Sequence, residues 1–300
     1  MGRGNYSEHD VKEAARAFTG WGASLRGEFV FRKFQHDDGD KVILGHRGNF
    51  DGDEVLDILL EQKQTAYFIT KKIYRYLVND IVDESHISKL ADRFYDSHYD
   101  IKGLLEDIFT SEWFYDKKNI GAIIKSPVVL ITGIRRTLPM EIENEEVQLL
   151  LQRLLGQLLF YPPNVAGWPG GMNWIDSSTL MFRLRIPQII YSADEFQMKP
   201  KDDDDQMMGM KDSQENAARK YFKTGNGQFI KAKIHWDAYL KKFDKISRED
   251  LSSAIALSLL QIPSSVDQST LDKYTDASSR ESFIKTTAIQ LMSTPEYQLC

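Results

Sequence analysis

Residues 36 to 53 concentrate the side chains best suited to hold a divalent cation: His36, Asp37, Asp38, Asp40, His46, Asp51 and Asp53. Carboxylate oxygens and imidazole nitrogens are the donor types of such sites. Their spacing fits neither the D-x-D-x-D-G loop closed by a glutamate at its twelfth position nor H-E-x-x-H. Ordinary architecture accounts for most of them. Asp38-Gly39 is a turn dipeptide, and Asp51, with Glu54 three residues on, is a helix N-cap. The sequence therefore favours a structural role and predicts no cofactor. The alternative is a divalent metal ion on His36, Asp38, His46, Asp51 and Asp53, serving a metal-dependent hydrolase.

A second group lies in the stretch Tyr161 to Trp174 (YPPNVAGWPGGMNW), a loop by its proline and glycine content. Trp168 and Trp174 offer flat aromatic faces, with Asn164 and Asn173 as orienting polar groups, a mixture suited to a glycan or a protein segment. Large aromatics are on average well buried, so both tryptophans are expected to plug the core, with Gly167, Gly170 and Gly171 allowing tight backbone packing. Trp168 in particular is expected against the Leu150 to Leu158 stretch. Arg183 joins Trp168, Trp174 and Asn164 as a candidate binding residue; it follows Leu180 on a predicted helix and is expected to point inward, where it would need a carboxylate partner. Lys71, Lys72 and Arg75 read as a solvated helix face. No G-x-S-x-G elbow, S-x-x-K pair or glycine-rich phosphate loop is present.

Composition narrows the field further. Lys plus Arg number 38 against 44 Asp plus Glu, and a net charge of −6 argues against a general nucleic-acid binder. Cys300 is the only cysteine, so no intrachain disulfide can form and no C-x-x-C or cysteine-based zinc pattern exists. The longest nearly unbroken apolar stretch, Pro127 to Ile134, is far short of the ~18 residues of a spanning helix, so no integral membrane segment is expected.

The elements that must position these groups are mostly helices. Ser7-Glu8-His9-Asp10 is a capping-box start. From Asp51 onward four apolar faces follow at helical spacing, through Val55 and Ile58, Ile69 and Ile73, Ile87 and Leu90, and Leu104 and Ile108. Ser126-Pro127 opens another helix, and Val147, Leu150, Leu151, Leu154, Leu155 and Leu158 form the strongest stripe in the chain. Glu28 to Gln35 and Lys41 to Leu44 predict one small β-hairpin turning at Asp38-Gly39. The class expected is mainly α: a multi-helix globular array with one small β-hairpin near residues 28–44. Three parts are expected: a helical core with the hairpin over 1–195, an acidic insertion over 196–229 containing KPKDDDDQMMGMKD, and a C-terminal helical segment over 230–300 packing on the core. Ile101 to Phe114 and Ile284 to Tyr297 also share a pattern, an amphipathic helix ending in a hydroxyl pair and an aromatic, which is read as similar stop chemistry rather than repetition.

Five segments, GNYSEHDVKEAARAFTGW, HDDGDKVILGHRGNFDGDEVLDILL, FITKKIYRYLV, PPNVAGWPGGMNWIDSSTLMFRL and the closing STPEYQL, together resemble the bacterial family known as domain of unknown function 1800. The resemblance covers most of residues 4 to 195 in the expected order. Family members usually carry a further helical region upstream, so it implies that an N-terminal region is missing here. It also implies export to the envelope or beyond, with a sulfatase-like exported protein as the natural partner, and no established activity. The function expected is thus a non-catalytic interaction or binding module of an exported bacterial envelope system. The alternative hydrolase would act on envelope or extracellular polymer.

Overall fold

The computed structural model describes residues 1–144, 146–192 and 230–300; the expected acidic insertion, 196–229, lies outside them. The described residues are mainly helical, with three two-stranded antiparallel sheets. The chain divides into two compact units, Met1–Asp116 and Lys117–Cys300.

In the first unit, α1 (Glu8–Ala17) is opened by a complete capping box. Ser7 accepts the backbone N–H of Asp10, whose carboxylate in turn accepts the N–H of Ser7. Two ribbons follow. Strand β1 (Trp21–Ala23) pairs with β2 (Phe29–Phe31), and β3 (Lys41–Ile43) with β4 (His46–Gly48). The single expected hairpin is therefore corrected to two: its two apolar runs are strands, but each pairs with a partner other than the one assigned. The reason is local. Leu44 and Gly45 both take positive φ, 48° and 85°, and close a two-residue turn between Ile43 and His46. Asp38-Gly39 instead sits in a side-chain turn, with the Gly39 N–H donating to Asp37 Oδ1 at 2.9 Å.

The four expected helices are α2 (Gly52–Glu61), α3 (Lys63–Leu77), α4 (Glu84–Asp96) and α5 (Ile101–Thr110). A small core of Ala17, Ile43 and Val55 holds α1 and β3 to α2, while Tyr74, Ile87, Leu90, Phe94, Leu104 and Ile108 join α3, α4 and α5.

The second unit contains α6 (Pro127–Thr137), β5 (Met140–Ile142), α7 (Glu146–Leu154), α8 (Ser177–Ser192) and β6 (Ala232–Ile234), which pairs with β5. Helices Leu251–Leu259 and Arg280–Met292 pack on one another, and the latter on α8, around a single core. The C-terminal segment thus packs on α6 to α8. The last residues also run beside 123–125, with Lys125 N donating to Gln298 O at 2.8 Å and Cys300 N to Ile123 O at 2.8 Å.

Both units end alike. Ser111 N reaches Ile108 O and Asp116 N reaches Trp113 O; Thr294 N reaches Leu291 O and Leu299 N reaches Glu296 O. The shared sequence pattern is thus a shared helix-to-3₁₀ ending.

Candidate functional site

In the first unit the acidic stretch is engaged chiefly in docking α1 onto the ribbons. Arg16 donates from Nε to Asp37 Oδ2 at 2.7 Å and from Nη2 to Asp37 Oδ1 at 3.1 Å, and its Nη1 reaches Glu13 at 3.0 Å. That guanidinium, with the Gly39 N–H, holds the Asp37 carboxyl well below the usual carboxylate range. Glu13 accepts the Val42 N–H at 3.0 Å and Asp10 the Leu44 N–H at 2.7 Å, so both carboxylates substitute for a missing strand beside β3. Lys41 is buried and donates to Asp37 O and Asn49 Oδ1.

The sequence-predicted ligands are dispersed among these roles. His36 Nδ1 lies 2.9 Å from Thr19 O, Asp51 caps α2 by accepting from Asp53 N and Glu54 N, and Asp40 faces Arg47 at 3.5 Å. Asp38, His46 and Asp53 are exposed. Among the described residues, no three His, Cys, Asp or Glu side chains are grouped so as to hold a metal ion.

The tryptophan loop belongs to the second unit, and its backbone is firmly pinned. Gln152 Oε1 accepts the Leu159 N–H at 2.9 Å at one end. Thr179 Oγ1 donates to Trp174 O at 3.3 Å at the other. Between them Asn164 Oδ1 accepts the Ala166 N–H at 2.9 Å and Asn173 Nδ2 donates to Gly170 O at 3.0 Å. Both asparagines therefore stabilise the loop, though they remain exposed.

The two tryptophans part company. Trp174 is 8% exposed and belongs to the interior, whereas Trp168 is half-buried, which corrects the expectation that Trp168 would be a core plug. The glycines are corrected too: a Cβ at Gly167 or Gly170 would meet no neighbour within 4 Å, so tight packing does not require them. Their φ values of 85° and 70° do.

Arg183 is fully buried, and among the described residues no carboxylate meets it. Its Nε donates to Gln298 Oε1 at 3.1 Å and its Nη2 to Lys125 O. Lys125 in turn donates to Tyr297 O at 2.6 Å, its ammonium 3.9 Å from the centre of the Tyr297 ring. Burial pulls the Arg183 guanidinium down to about 10 and lowers the Lys125 ammonium as well, while it pushes the Tyr297 hydroxyl up to about 12. This cluster ties the chain's last residues to α8. Neither Arg183 nor Trp174 is positioned to meet a partner at the surface.

The surface of the loop is made by residues that type alone did not flag. Phe160 is 91% exposed, Val165 is fully exposed, and Leu159 and Met172 are also exposed. Phe160 moreover has φ 63°, a left-handed backbone that a bulky side chain rarely adopts. One sequence signal could have found them: residues 154–175 contain no Asp, Glu, Lys or Arg, in a chain that is 27% charged.

Fold and loop together define a mainly α-helical, two-unit protein that carries an uncharged, aromatic-rich loop. The chain belongs to the family described as Protein of unknown function (DUF1800), whose model matches residues 1–299. Comparisons with curated proteins and with solved structures gave no match.

Proposed function

We propose that this protein is a non-catalytic binding module that docks the apolar surface of a partner protein on the loop 156–175. One observation carries the reading: the pinned, uncharged loop holds the Phe160 ring in water on a backbone that costs about 1–2 kcal/mol for a non-glycine residue. Strain of this kind persists where the surroundings enforce it, and it gathers at ligand clamps and other working sites. A protruding aromatic beside exposed aliphatics is also the usual composition of an interface anchor. The setting we propose is an exported bacterial envelope system, with a sulfatase-like exported protein as the partner; this part rests on the family.

A photo-crosslinking residue at Val165, compared with one at Leu257, which is also solvent-facing, tests the proposal in the native host. The expected result is one protein adduct at 165, absent at 257 and insensitive to salt, because the loop carries no charge to screen. A glycan adduct, no adduct, or the same adducts from both positions would sink it.

A further inference from the structure

The β1–β2 ribbon of the first unit presents a second apolar surface, of different chemistry. Its tip is a closed turn. Ser24 N donates to Glu28 O at 2.8 Å, Gly27 N to Ser24 O at 3.0 Å, and Ser24 Oγ accepts from Arg26 N and Glu28 N. Gly27 has φ 80°, which only glycine adopts freely. This turn holds Leu25 wholly in water. Strand alternation places Phe29 and Phe31 on one face, both exposed, and Phe34 on the following 3₁₀ turn is 85% exposed. Interleaved with them are Arg26, Arg32 and Lys33, against the single carboxylate Glu28. The Arg32 guanidinium lies across Gly22, on the strand face opposite the phenylalanines. The ribbon is thus locally cationic in a chain of net charge −6.

We propose that this ribbon is a membrane-surface anchor, inserting Leu25 and Phe34 among the headgroups of an anionic bilayer while Arg26 and Lys33 meet lipid phosphates. Exposed apolar side chains interleaved with cations along the ribbon match the chemistry of that interface, where apolar side chains enter the acyl boundary and basic ones stay at the headgroups. Among the described residues no helix is long and apolar enough to cross a membrane. It is distinct from the loop 156–175, which has no cations.

Co-sedimentation of the full chain with vesicles of phosphatidylglycerol and phosphatidylcholine, and with phosphatidylcholine alone, tests the anchor. Binding is expected to the anionic vesicles only, weakening as salt is raised. Leu25→Ser with Phe34→Ser, and separately Arg26→Glu with Lys33→Glu, should each reduce it by at least about tenfold, with thermal unfolding unchanged because all four side chains are exposed. No binding by the parent protein would overturn the proposal. So would loss in the charge variant alone, which means adsorption without insertion. Concentration-dependent self-association that disappears in Leu25→Ser with Phe34→Ser, without vesicle binding, would overturn it in favour of a second copy of the chain.

Discussion

Trp168 and Trp174 share a loop and an identity, yet only one is interior, and their substitutions should separate accordingly. Trp174→Ala removes a ring that is 8% exposed and should cost about 3–5 kcal/mol, the usual loss for a large buried aromatic. Trp168→Ala, at a half-buried position, should cost less than half of that; equal losses in chemical denaturation would contradict the assignment. Residue type could not distinguish the two, because both are tryptophans of one proline- and glycine-rich segment. The same limit applied to Arg183: an inward-pointing guanidinium was legible in the helical pattern, but its partners, Gln298 and the Lys125 carbonyl, are brought to it by tertiary structure. Phe160 was missed because its conspicuous property is a backbone angle, which no residue count reports.

Devices closed within three or four residues were the most legible at the scale of the element. The boxes at Ser7 and Asp51 and the cap at Ser126 are formed as their spacing requires, since donor and acceptor lie in one turn of chain. Strand pairing was less so. Asp38-Gly39 has the composition of a hairpin turn, whereas the turn used is Leu44-Gly45, whose leucine gives no such sign. The cap at Asp51 also separates architecture from metal chemistry. Asp51→Ala should cost about 1 kcal/mol, and Asp51→Ser, which keeps a hydroxyl acceptor, only a fraction of it. A cation released by Asp51→Ser, measured by elemental analysis, would show that the carboxylate serves more than the cap.

For the whole molecule, stability should fall on the alkaline side, and the sign follows from the second unit's core. Burial raises Tyr239 and Tyr297 to about 12, so the folded chain keeps two protons that the unfolded chain releases near 10. Their contribution is complete below pH ~10 and is lost as pH rises through about 12. Arg183, drawn down to about 10, and Lys125, lowered with it, act in the opposite direction, while burial raises Tyr74 and Tyr99 of the first unit and so adds to the alkaline loss. Tyr239→Phe should flatten the decline of melting temperature between pH ~10 and ~12; an unchanged decline would place its cause elsewhere. The division into two units was not legible, because the boundary falls between short 3₁₀ turns and no proline- or glycine-rich linker marks it. The binding loop itself is tested most directly by Phe160→Gly, which relieves the left-handed strain and removes the exposed ring. Unfolding stability should stay level or rise by up to ~1 kcal/mol, while affinity for the protein captured at position 165 falls at least tenfold, as for an interface hot spot. Unchanged affinity, or a marked loss of stability, would show that Phe160 serves the fold and not a partner.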